Sequence, residues 1–185
     1  MKTLEQNLTQ YAAYHRDRRN IATHFVGVPM ILFALLAALC VVDIPVGGMT
    51  FTLGAAFAIV SALYYLRQDL AMGLAMSVVL FACCALASEL EGRLGPGGLL
   101  ATASAIFVVG WIIQFVGHKF EGMKPAFFDD AMQLMVGPLF ICAEVFFALG
   151  AKRAVREYIE ARVGPTVARR EKPAPAPDDL PREAH

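Results

Sequence analysis

The amino-acid sequence predicts an all-α fold: a polytopic integral membrane helix bundle with four transmembrane helices and a fifth after them. Three observations predict it. Hydrophobic residues make up 57% of the 185 residues and charged residues 17%, where a soluble domain holds roughly 45–50% and about 25%. Uncharged stretches near the length of a bilayer crossing, about 20 residues, recur along the chain. Short, turn-rich or charged links separate them.

The first stretch, 21–42, ends at Asp43, and the second, 44–66, ends at Arg67. The third, 70–88, is closed by Glu89 and Glu91; the fourth, 94–117, lies between Arg93 and His118. The fifth, 131–151, contains Glu144. A hydrocarbon environment leaves backbone groups no solvent partner, so each stretch is expected to be helical. The Pro45 and Gly47-Gly48 link reads as a turn, and Asp69 as a helix cap. Residues 1–162 form the expected membrane-embedded domain. Residues 163–185, rich in proline and charge, form an expected disordered tail.

Lys and Arg set the orientation. Arg16, Arg18 and Arg19 precede the first stretch, Arg67 follows the second, and Lys119 and Lys124 follow the fourth. This places the N-terminus in the cytoplasm, in a membrane such as a bacterial inner membrane. Lys152, Arg153, Arg156 and Arg162 fit only if the fifth stretch is re-entrant or interfacial, or if the bias is overridden. The polar first twenty residues predict no cleavable signal peptide. Zero net charge gives no general attraction to nucleic acid. Cys40, Cys83, Cys84 and Cys142 lie in apolar runs without metal-ligand spacing and read as small hydrophobes.

Three histidines, His15, His24 and His118, stand at the edges of these stretches, on one side of the membrane by the expected crossings. Trp111, Gln114, His118 and Glu121 share one helix face, as do Asp17, Asn20, His24 and Gly27. His15 falls half a turn off the second face and converges only if the helix bends or starts later. Ionisable groups at a membrane boundary point to function. Imidazoles with nearby carboxylates suit iron, zinc, copper or nickel. Histidines bonded to backbone at headgroup level are the plainer alternative.

The run from His15 through Asn20, His24 and Gly27 to Pro29 resembles the opening motif of a membrane family. The run Trp111-Ile-Ile-Gln114-Phe-Val-Gly117-His118-Lys-Phe-Glu121-Gly-Met-Lys-Pro125-Ala126 resembles its second motif. The family is the one typified by the fungal 2-hydroxy fatty acid dioxygenase of phytosphingosine breakdown, and the likeness covers roughly residues 1–150. It implies a non-haem Fe(II) dioxygenase embedded in lipid, using molecular oxygen to shorten 2-hydroxy fatty acids by one carbon. It implies His15, His24 and His118 as metal ligands, and Glu121 and Asn20 as catalytic residues. Two other classes stay open at this point: a non-enzymatic small membrane protein of transport or assembly, and a zinc-dependent lipid hydrolase.

Overall fold

The computed structural model describes residues 2–169. The polar N-terminus, which the apolar pattern ignores, forms helix α1, Leu4–Ala12. Its start is a capping box: the Thr3 side chain accepts from the Gln6 N–H while the Gln6 side chain accepts from the Thr3 N–H. A short link carrying His15 leads to α2, Arg18–Cys40, where Asp17 caps the first turn by accepting from the Arg19 N–H at 2.8 Å. Pro29 lies inside α2 without ending it.

Strands β1, Asp43–Val46, and β2, Met49–Thr52, then form an antiparallel hairpin. Its two-residue turn has Gly47 and Gly48 at φ 57° and 86°, the left-handed pair that a tight hairpin turn needs. Helix α3, Leu53–Gln68, follows. Asp69 both ends α3 and caps α4, Leu70–Glu121, accepting from the Met72 N–H at 3.0 Å. A 3-10 turn, Ala126–Phe128, precedes α5, Gln133–Ala148, and α6, Arg153–Val163.

The expected four crossings and a fifth are not what the helices give. Among the described residues two helices, α2 and α4, are long and apolar enough to cross a membrane, or three spans if α5 and α6 count as one bent span. Each difference has a local cause. The second stretch loses its first residues to the hairpin, because Pro45 and the glycine pair favour an edge strand and a turn over helix. That leaves α3 at 16 residues, short of the usual range of about 17–25. The third and fourth stretches both fall within the 52-residue α4, whose backbone leaves helical geometry at Gly95 (φ 71°) before Pro96. Residues on both sides of that break, Ala87 and Leu99, share one packed cluster with Ala34, Ala37 and Cys40 of α2. The fifth stretch ends early, and α6 leaves α5 at 113° through Gly150 (φ 77°) and Lys152 (φ 56°).

A second and larger cluster joins Leu8 and Tyr11 of α1, Leu32 and Leu36 of α2, Tyr65 of α3, Met72 and Leu80 of α4, and Leu139 and Phe140 of α5. The four cysteines are free. The expected tail lies outside the described residues from 170 onward. Its described start returns to the His15 link: Val167 donates to the Arg16 carbonyl at 2.8 Å and accepts from the Arg18 N–H at 2.9 Å.

Candidate metal centre

His15, His24 and His118 come together at one end of the α2–α4 pair. Each offers one ligand nitrogen, and these atoms lie within 4.8 Å of one another. The ring centroids are 4.4 Å apart for His15 and His24, and 5.0 Å for each of them with His118. All three side chains are buried. His15 reaches the other two because α1 stops at Ala12: the link after it frees the backbone from the helical register that would turn His15 away.

The hydrogen bonds fix the tautomers of two of the rings. His15 Nδ1–H donates to the Tyr11 carbonyl at 2.7 Å, and His24 Nδ1–H donates to the Asn20 carbonyl at 2.9 Å. A carbonyl oxygen only accepts, so the ring proton of each neutral imidazole sits on Nδ1. Both Nε2 atoms then carry lone pairs, and they face each other at 3.0 Å. His118 is buried with them. A proton between the Nε2 atoms would be a buried positive charge. Burial, reinforced by neighbouring His24, already holds His15 well below the ordinary imidazole range. Converging neutral imidazoles with carbonyl-bound Nδ1–H groups are the arrangement of a divalent transition-metal site. The residues present fit such an ion.

Glu121 and Asn20 form a brace beside this group. The Glu121 carboxylate accepts from the Arg16 N–H (3.0 and 3.1 Å), the Asp17 N–H (2.9 Å) and Asn20 Nδ2 (3.0 Å). Asn20 Nδ2 also donates to the Tyr14 carbonyl at 3.2 Å. The C-terminal turn of α4 is thereby tied to the link that carries His15. Glu121 lies outside the group of three metal-capable donors. The close approach of the helices is possible because position 117 is glycine: a Cβ there would fall 2.0 Å from Thr23 Oγ1 and 2.5 Å from Asn20 Oδ1.

A cavity of about 430 Å³ opens from the histidines between the helices. Its walls are apolar: Val28, Ile31, Leu32 and Leu35 of α2 on one side, and Phe107 and Trp111 of α4 on another. From His24 to Leu35 is eleven helical residues, about 16 Å at roughly 1.5 Å per residue. The site is therefore a polar cluster at the head of a long apolar slot.

Several contributors escaped the sequence reading. The Tyr11 ring stacks on His15 at 4.1 Å with 1° between the planes, and its only trace in sequence is the four-residue spacing. Ser61 and Gln133 line the slot, and they are, like Gln114, uncharged polar residues inside apolar stretches.

The family model for 2-hydroxy-palmitic acid dioxygenase Mpo1-like proteins matches residues 1–149. The chain belongs to this family. It is 32% identical over 160 residues to the 2-hydroxy-palmitic acid dioxygenase MPO1 of Saccharomyces cerevisiae, covering 85% of this chain and 87% of the yeast protein. No solved structure matches the chain. The match spans the whole of both motifs, with His15, His24 and His118 inside it.

Proposed function

We propose that this protein is a membrane-embedded non-haem Fe(II) dioxygenase that performs α-oxidation of 2-hydroxy fatty acids, removing one carbon at the expense of molecular oxygen. The observation that carries the proposal is the pair of Nε2 lone pairs facing each other at 3.0 Å with both Nδ1–H groups committed to carbonyls. Within the dioxygenase family, a metal ion is the natural occupant of that point.

His15, His24 and His118 hold the metal, and ferrous iron bound there supplies the oxygen-activating centre. Three neutral histidines leave open positions for a substrate and for oxygen. The Tyr11 and Asn20 carbonyls keep the Nε2 atoms of His15 and His24 unprotonated and aimed. Glu121 and Asn20 act on the site by fixing the His15 link against α4. The apolar slot takes the acyl chain without polar contacts and keeps water from its length. The carboxyl end then meets the histidines. On this reading the histidine site faces the cytoplasm, with Arg16, Arg18 and Arg19 on the same side.

The test is metal content and oxygen uptake of detergent-purified protein given 2-hydroxypalmitate and Fe(II). Iron near one equivalent, with oxygen consumed only when substrate is present, is the expected result. Tightly held zinc with oxygen-independent turnover would convert the reading to a lipid hydrolase. Neither metal nor turnover would leave a non-enzymatic membrane protein.

A further inference from the structure

Three residues that line the slot each bury a side-chain oxygen with no hydrogen-bond partner among the described residues: Gln114 Oε1, Ser61 Oγ and Gln133 Oε1. Leaving a buried acceptor unsatisfied costs stability, so each calls for an explanation.

Gln114 differs from the other two in its position. It lies one turn before His118 on α4, so the two side chains share a face. Gly27, three residues past His24 on α2, lies directly against it: a Cβ at Gly27 would come within 3.0 Å of Gln114 Cγ and 3.2 Å of Cδ. The missing side chain at position 27 is what lets Gln114 lie between the helices. The Gln114 amide is thus one turn along both helices from the histidines, where the polar cluster gives way to Val28, Ile31 and Trp111.

A carboxamide oxygen accepts a hydrogen bond and cannot donate one. Carboxylates and methylenes have no proton to offer it. A hydroxyl has. An acyl chain that enters along the slot with its carboxyl end at the histidines passes its first carbons beside Gln114. We infer that Gln114 Oε1 accepts a hydrogen bond from the hydroxyl on carbon 2 of the substrate, and so selects hydroxylated over plain fatty acids. This rests on the dioxygenase reading above. The hydroxyl gives its proton to Gln114 and keeps its oxygen lone pairs free toward the histidine group. A site built to bond a substrate hydroxyl discriminates strongly against the analogue that lacks it, because the buried acceptor then stays unpaired.

Trp111 is the chain's single tryptophan and lines the same slot, so its fluorescence reports ligand entry without turnover. Wild type, Gln114→Leu and Gln114→Met, each iron-loaded and kept anaerobic, are titrated with 2-hydroxypalmitate and with palmitate; Ser61→Ala is run alongside. Wild type should bind the hydroxy acid about tenfold more tightly, as one neutral hydrogen bond allows. Both Gln114 variants should bind the two acids alike, and the leucine variant should melt no lower than wild type. Equal affinities in wild type, or a preference that survives both Gln114 variants, overturn the inference and leave the dioxygenase reading standing. So does a preference lost in Ser61→Ala instead, or a Gln114→Leu protein that melts lower and weakens both acids equally. Wild type that binds neither acid sinks the fatty-acid reading itself.

Discussion

The two ends of the α2–α4 pair are joined by different physics. At the far end, Ala34, Ala37 and Cys40 meet Ala87, Leu99 and Ala103, and small side chains let the helices touch. At the near end the same helices bury His24, Asn20, His118 and Glu121, held by a carboxylate that accepts two backbone N–H groups and an amide. Small-residue packing is the ordinary way helices associate in lipid. Buried polar groups are the costly way, since each needs a partner. A chain that builds both into one helix pair keeps rigidity at one end and chemistry at the other. Perturbing the near end should therefore change metal retention, and perturbing the far end should change stability alone.

The sharpest break in that contrast is His118→Ala or His24→Ala. On the proposed function each removes one of three donors, so purified protein should lose its bound metal and at least roughly a hundredfold of its turnover, a larger loss than removal of an outer hydrogen bond gives. Metal analysis together with oxygen uptake reads this. Full activity in either variant would contradict the ligand assignment.

Glu121→Gln comes next. Its amide keeps one acceptor oxygen but turns an NH2 group toward the donors of Arg16, Asp17 and Asn20. Hydrogen bonds to a charged group are worth about 1.5–3 kcal/mol each, so the loss of the brace should lower the melting temperature clearly. Iron should also be held about 10–100-fold more weakly, as for other supporting residues. An unchanged iron affinity would mean that the His15 link is fixed by other contacts.

A pair of glycine substitutions tests the comparison itself. Gly117→Ala places a Cβ 2.0 Å from Thr23 Oγ1 at the near end; Gly54→Ala, on α3, places one 2.3 Å from Cys40 Sγ, where α3 packs on the far end of α2. Overpacking of this kind costs about 1–3 kcal/mol, so both should melt lower. Only Gly117→Ala should also weaken iron binding. If Gly54→Ala weakens it equally, the two ends are not independent.

The smallest effect concerns pH. Burial depresses the His15 imidazole in the folded chain, while the unfolded chain titrates near 6.5. Below about 6.5 the unfolded state therefore binds more protons. The stability present above that pH is lost as pH falls toward the folded value. The metal-free protein should melt lower at pH 5.5 than at pH 8, and His15→Gln should flatten that difference. Equal slopes in the two proteins would remove His15 as the source.

Much of this protein is legible in one dimension. Apolar stretches announced helices, two of them long and apolar enough to cross a membrane among the described residues; Asp69 announced its cap. The two motifs singled out His15, His24, His118, Asn20 and Glu121, because an ionisable residue beside an apolar run is conspicuous in one dimension. The number of helices able to span was not legible. A stretch free of charge reads the same whether it starts as a β-hairpin at Pro45, breaks at Gly95 or bends at Gly150, since those outcomes depend on backbone geometry and on neighbours rather than on hydropathy. Nor could the helical wheel place His15, which leaves the face of His24 unless α1 ends at Ala12.

How the site is shared out depends on contacts between distant segments. Three imidazoles from a link, the start of α2 and the end of α4 meet because the 93 residues between His24 and His118 fold back to one point. Glu121 was drawn away from the histidines to the backbone N–H groups of Arg16 and Asp17. A buried carboxylate takes whichever donors the packing supplies, and that choice is written in no residue's local sequence.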